Sequence, residues 1–262
     1  MHFAALAYVG ESVHEPLRYY RNNTGGSLNL LKAMADAHVE RLVFSSTCAT
    51  YGQVGPEALP INEDTSQKPI NPYGKSKLFF EHVVRDYAAS RPAFGYAILR
   101  YFNVAGSDPA GEIGENHDPE THLIPLAIQA ALGQRPPLTV FGDDYDTPDG
   151  TCIRDYIHVE DLVAAHLRVM DELLGPGGDG GEFTFNLGTG RGVSVREILT
   201  SVERVTGRPV PHTVGPRRAG DPAALFADAG KIERELGWEA RYTDLDDTVR
   251  TAYAWLRNHP PG

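Results

Sequence analysis

Apolar segments alternate along the chain with stretches whose apolar residues recur every three or four positions. That alternation predicts an α/β fold with a mainly parallel sheet. His2-Phe3-Ala4-Ala5-Leu6 is short and apolar enough to end a strand. From about Ser27 to Ala37 the spacing predicts a helix with Leu28, Leu31 and Met34 on one face. Arg41 to Ser46 reads as a buried strand that runs into a loop of small residues. Asn71 and Pro72 suit an N-cap and a first helical position, and Phe80, Val83, Val84 and Tyr87 follow at helical spacing. Tyr96–Phe102 and Phe183–Leu187 predict two further strands. Residues 105–122 and 142–151, rich in Gly, Pro, Asp and Glu, predict long loops of the kind that serve function in compact domains. Gly175–Gly181 reads as a flexible turn between a helix and a strand. Gly188–Gly192 leads into a helix opened by a capping box of Ser194 and Glu197.

Composition narrows the class without naming an activity. The 262 residues carry a formal charge of −11, which argues against nonspecific binding to nucleic acid. No apolar run approaches the roughly 20 residues that a membrane span needs, so no membrane partner is expected. Met1–Ala5 lacks the basic segment and apolar stretch of a secretory signal. Two cysteines, Cys48 and Cys152, make no disulfide framework; a reduced, cytoplasmic protein is the expectation. The ten histidines show no ligand spacing, so no metal site is expected, and His158 reads as a structural residue at a strand-to-helix junction.

The chemistry gathers around Tyr73-Gly74-Lys75-Ser76-Lys77. On a helix, Tyr73 and Lys77 share a face. An ammonium beside a phenol stabilises the phenolate and lowers its reference pKa of about 10. Such a tyrosine accepts a proton from a sugar or alcohol hydroxyl; the plainer reading is an exposed pair at a helix start. Thr47 stands where the Arg41–Ser46 strand ends, and ligands of open α/β sheets bind at that end. Its hydroxyl could hold a reacting oxygen or merely close a tight turn. Gly175–Gly181 satisfies the GxGxxG spacing, but it follows a helix and precedes a strand, the wrong context for a phosphate loop.

Ser45-Ser46-Thr47 with Tyr51-Gly52, and Asn71-Pro72-Tyr73-Gly74-Lys75-Ser76-Lys77, resemble the extended short-chain dehydrogenase/reductases, specifically the UDP-sugar 4-epimerases. Leu99–Asn103, Asp149-Gly150-Thr151, Arg154–Val159, Pro216–Asp221 and Leu236-Gly237-Trp238 extend the likeness in family order over essentially the whole chain. The resemblance implies an incomplete Rossmann-like parallel sheet flanked by helices, with a smaller α/β substrate-capping domain. It assigns residues 1–104, with 156–190 returning, to the NAD-binding domain, and 105–155 with 191–262 to the UDP-sugar-binding domain. It implies NAD as cofactor, a UDP-sugar as substrate and a homodimer packed through helices near residues 11–37 and 73–90.

In the implied reaction Tyr73 takes the proton of the sugar 4-hydroxyl, and C4 gives hydride to NAD. The 4-keto sugar turns over and regains hydride on its other face. Lys77 would hold the nicotinamide ribose and Thr47 the sugar oxygen. Phe3, Ala5, Asn22 and Phe102 match cofactor-contacting positions; Asn103, Leu123, Phe141, Arg154, Arg218 and Asp221 match substrate-contacting ones. Read without the resemblance, Arg217-Arg218 is a solvated charge pair and Arg154-Asp155 a local ion pair.

The chain also departs from the pattern. The strand, Gly-rich turn and helix with which the family begins, roughly 75 residues, do not precede Met1. That predicts an unpaired apolar edge near His2. Ala7 stands where lysine is common and resembles UDP-arabinose 4-epimerases; His122 replaces an asparagine before Leu123; Leu225 replaces a bulky tyrosine of some members. Cys48-Ala49 follow Thr47 where sugar-nucleotide dehydratases place two acids. The reading is NAD-dependent inversion at C4 of UDP-glucose and UDP-galactose. Its alternatives are the same reaction on UDP-xylose and UDP-arabinose, and an inactive remnant that no longer holds NAD.

Overall fold

The structure, a computed structural model, describes residues 1–176, 180–218 and 221–259. In chain order the elements begin with helices α1 (Val9–His14) and α2 (Pro16–Tyr19), a π-helical turn (Tyr20–Gly25) and α3 (Gly26–Asp36). Strand β1 (Arg41–Ser45), helix α4 (Pro72–Ala89), and strands β2 (Gly95–Tyr101) and β3 (Asn103–Ala105) follow. Next come α5 (Leu123–Ala131), β4 (Leu138–Phe141), β5 (Ile153–Arg154), β6 (Tyr156–His158) and α6 (Val159–Leu174). The chain continues through β7 (Glu182–Leu187), β8 (Val193–Ser194), α7 (Val195–Thr206), β9 (His212–Gly215) and β10 (Ala224–Leu225). It ends with α8 (Gly230–Leu236) and α9 (Leu245–Asn258).

Two compact units divide the chain. The first comprises Met1–Tyr101, Ala164–Leu187 and Ala229–Trp238; the second comprises Phe102–Val163, Gly188–Asp228 and Glu239–Gly262.

In the first unit β1, β2 and β7 form a parallel sheet with β2 in the middle. Leu42, Val43 and Phe44 are buried in succession, as expected of a strand covered on both faces. One face packs on α3 and α4, where Leu31, Met34, Phe80, Val84 and Ala88 meet Leu42, Phe44, Tyr96 and Ile98. Phe44 and Phe80 stack edge to face with centroids 4.8 Å apart.

The chain start is not a strand. His2 alone bridges to β1, its amide donating to the Val43 carbonyl and its carbonyl accepting from Ser45 N. Phe3 beyond it is 54% exposed. In α3, Leu31 and Met34 are buried as expected, but Leu28 is exposed and Ser27 takes the inner position. Ser27 can do so because its hydroxyl bonds the Asn23 carbonyl and the His2 ring.

In the second unit α5, α7 and α9 enclose a core with Leu138 and Val140 of β4. The capping box at α7 is present: Ser194 Oγ accepts from Glu197 N, and the Glu197 carboxylate from Ser194 N. His158 is fully buried, bonds Thr251 through Nε2 and stacks on Tyr242 at 3.8 Å, the structural part expected of it. Residues 106–122 and 142–152 carry no helix or strand, in line with the predicted loops. The turn expected at Gly175–Gly181 lies partly outside the described residues.

Candidate active site

The amino end of α4 is built to hold Tyr73 and Lys77 in place. Asn71 is extended and its side chain accepts from Gly74 N at 2.8 Å, while Pro72 fills the first helical turn. Gly74 is required for close approach. A Cβ there would sit 2.5 Å from the Ala49 carbonyl oxygen, so only glycine lets α4 lie against the loop after β1.

That loop carries Thr47. Its Oγ1 accepts from Ala49 N at 3.2 Å, capping the short turn Cys48–Thr50, and its side chain lies close enough to the Tyr73 phenol to favour the ionised form. The turn-closing reading of Thr47 is thus observed, and the same side chain stands beside the tyrosine. Tyr101, on β2, lies near enough to Tyr73 to oppose its ionisation and contacts the Ser45 hydroxyl.

Lys77 is 4% exposed, and Nζ donates to the Ser45 carbonyl at 2.8 Å beneath the Phe44 ring. Burial pulls the amine down to about 8, against the opposing charge of Glu81. The expected depression of the tyrosine is not seen in the protein alone. Burial pushes the Tyr73 phenol above its ordinary value, Tyr101 adds to this, and the neighbouring Thr47 side chain only partly offsets it.

Sequence reasoning passed over Glu81, one turn beyond Lys77 on the same face. It is fully buried and receives two guanidinium bonds from Arg100, at 3.1 and 2.7 Å, together with the Ser46 hydroxyl. Arg85 and Gln67 complete its surroundings. Burial opposes its ionisation, but Arg100 and Ser46 hold the carboxyl below the usual carboxylate range. The signal available in sequence was an acid continuing the Tyr73–Lys77 spacing by four on an otherwise apolar helix face.

The residues matched to cofactor contacts sit separately in their units. Phe3 packs on the His166 ring at 5.0 Å, and Ala5 is half-buried. Asn22 is exposed in the π-helical turn and lines a groove of about 820 Å³ with Leu6, Arg18 and Arg21. Its neighbour Asn23, which sequence reasoning missed, is buried and ties the backbone of Leu6 to Ser76 on α4. Phe102, in the second unit, is buried.

Within the second unit four expected substrate residues come together as two pairs. Arg154 faces Asp221 at 3.6 Å, and the Arg218 guanidinium lies over the Phe141 ring at 4.3 Å. Asp221 N donates to the Arg218 carbonyl, which joins the pairs. Asp155 is not the ion partner of Arg154: it is buried and accepts from Thr189, Gly190 and Ala227. Arg217 is not merely solvated, since it binds Asp144 and covers Tyr145. Asn103 donates its amide to the Asp155 carbonyl, and Leu123 opens α5.

The chain belongs to the NAD dependent epimerase/dehydratase family, whose sequence profile matches residues 1–188. It is 49% identical over 264 residues to UDP-glucose 4-epimerase of Halalkalibacterium halodurans, spanning all of this chain and 77% of that protein. The structure of UDP-glucose 4-epimerase from Brucella ovis in complex with NAD superposes with a TM-score of 0.91 at 54% identity. That match covers 96% of this chain and 76% of the other. The Bifidobacterium longum enzyme in complex with NAD+ and UDP gives 0.93 at 44% identity, over 100% and 76%. Among the described residues no helix is long and apolar enough to cross a membrane.

Proposed function

We propose that the chain inverts C4 of UDP-glucose and UDP-galactose with bound NAD through a 4-keto sugar. The observation that carries this reading is the packing at the carboxyl end of a parallel strand: Gly74 brings α4 against the loop that holds Thr47, and the buried Lys77 amine, one turn beyond Tyr73, is anchored on the Ser45 carbonyl. The likeness to 4-epimerases crystallised with NAD and UDP supports the cofactor and the substrate class.

The residues present suit a nicotinamide nucleotide. Lys77 has three donors, and one is used on the Ser45 carbonyl, which leaves donors for ribose hydroxyls. Bound NAD supplies the hydride acceptor for C4 and a positive ring. Tyr73 takes the 4-hydroxyl proton and returns it, and Thr47 orients the same oxygen. Tyr73, neutral in the protein alone, becomes a base when positive charge offsets its burial. Arg154 and Arg218 present guanidinium groups of the geometry that pairs with a diphosphate. Leu123, Phe141, Asn103 and Asp221 complete the substrate side, while Phe3, Ala5, Asn22 and Phe102 serve the cofactor.

The same proposal holds the chain to be cytoplasmic and a homodimer. Neither Cys48 nor Cys152 is in a disulfide, and the first unit exposes Val13, Leu17, Leu28 and Phe79 on its helices.

The test is an epimerase assay on the purified chain with UDP-glucose and UDP-galactose, run beside UDP-xylose and UDP-arabinose. Protein-bound nicotinamide is measured by absorbance in the same samples. Interconversion of the hexoses that Tyr73→Phe lowers by about 10²–10⁴-fold, with cofactor still bound, is the expected result. Inversion of the pentoses alone, or wild-type rates in Tyr73→Phe, overturns the reading.

A further inference from the structure

Four side chains of the loop between β3 and α5, away from the tyrosine and lysine of α4 in sequence, aim at one point. They are Glu115, His117, Glu120 and His122, and one ligating atom from each lies within 4.8 Å of the others. His117 Nδ1 is 3.5 Å from Glu115 Oε1, and His122 Nδ1 touches that same oxygen and stands 3.3 Å from Glu120 Oε1. The imidazole rings are 4.9 Å apart and tilted by 43°. Both histidines turn the same nitrogen, Nδ1, toward the carboxylates.

The cluster is held from outside, as metal centres are. Glu120 Oε1 accepts from the amides of Thr121 and His122 at 2.6 and 2.7 Å, which fixes the carboxylate over the start of α5. The Glu115 carbonyl accepts from Trp255 Nε1 at 2.9 Å. Gly114 packs so tightly on that indole that a Cβ would fall 2.2 Å from the ring. The loop at Glu115 is therefore clamped to α9. Glu120 is 10% and Glu115 21% exposed, while His117 and His122 are 41% and 45% exposed, so an ion can enter from solvent.

Two imidazoles and two carboxylates form a borderline donor set. Calcium and magnesium prefer oxygen alone, whereas zinc takes nitrogen and oxygen in a tetrahedron. We propose that Glu115, His117, Glu120 and His122 form a binding site for zinc, or a similar divalent transition metal, that rivets the 106–122 loop to the start of α5. Bonds of about 2.0–2.2 Å place tetrahedral ligands about 3.4 Å apart. The side chains must close by roughly an ångström from the present spread, within the reach of their torsions. The histidine spacing carried no such signal because half of the ligands are glutamates and the loop has no periodicity.

The experiment titrates Zn²⁺ by calorimetry into the purified full chain bearing no histidine tag, and Co²⁺ while its visible spectrum is read. One equivalent of Zn²⁺ is expected, with the intense visible bands of tetrahedral Co²⁺. His117→Ala and Glu115→Gln should each weaken binding by more than the 10–100-fold that loss of an outer partner brings. Circular dichroism should be unchanged, since both side chains reach solvent. No binding by the wild type, a six-coordinate Co²⁺ spectrum, or unaltered affinity in both variants overturns the proposal and leaves plain histidine–glutamate ion pairs.

Discussion

Glu81→Gln is the sharpest probe of the machinery under the candidate site. The change is nearly isosteric, so packing is kept, but it removes the negative charge paired with the buried Arg100 guanidinium. Arg100 then keeps neutral acceptors, among them the Tyr51 hydroxyl at 2.8 Å, the Glu63 carbonyl at 3.4 Å and the one amide oxygen of the new glutamine. Removing one partner of a buried pair costs about 3–5 kcal/mol, because the remaining charge stays desolvated. With a urea dependence of about 2–3 kcal/mol per molar, the first unit should unfold about 1–2.5 M earlier. The two tryptophans divide between the units, Trp238 in the first and Trp255 in the second. Fluorescence in a Trp255→Phe background therefore reads the first unit alone. The pH dependence supplies the sign. The Glu81 carboxyl lies below its ordinary range, so its contribution is full above the unfolded carboxylate pKa of about 4.3. It is lost as pH falls through the lowered native value. Wild type should shed this stability in acid, and Glu81→Gln should lack that part of the slope. A midpoint shift below about 0.3 M at neutral pH would refute the reasoning, because a buried pair broken on one side cannot be that cheap.

Lys77→Met should stabilise the first unit while abolishing epimerase activity. An amine brought by burial from 10.5 to about 8 carries ~3 kcal/mol of unfavourable charge burial at pH 7. Loss of the Ser45 hydrogen bond returns ~1 kcal/mol, and the advantage, read by urea unfolding, should fade as pH rises from 8 towards 10.5. Gly74→Ala should lower kcat by ~10²-fold in a steady-state assay, since the Ala49 carbonyl must move and takes Thr47 with it. Asp155→Asn should destabilise the second unit by ~2–4 kcal/mol in Trp255 fluorescence, because four donors converge on the carboxylate and an amide cannot accept them all.

Local patterns carried the elements whose stability is local. The Arg41–Ser45 strand, the Asn71–Pro72 helix start and the Ser194–Glu197 box were readable because a hydrophobic run or a cap is made by residues adjacent in the chain. Tyr73 and Lys77 were readable for the same reason, as one turn of helix places them on one face. His2 failed as a strand because pairing depends on what lies beside it, and here it makes a single bridge. Ser27 displaced Leu28 because a hydroxyl satisfied at the His2 ring can be buried, and hydrophobic spacing does not register that.

Periodicity, capping and the order of its motifs thus settled which segments become helix or strand and which residues open α4. Long-range approach settled the rest: Arg100 beneath Glu81, Arg154 facing Asp221 rather than its neighbour Asp155, and the phenol of Tyr73 raised by burial despite a lysine one turn away. Charges and hydroxyls act through space and through the water they lose. Their partners and protonation follow from distances that no linear spacing encodes.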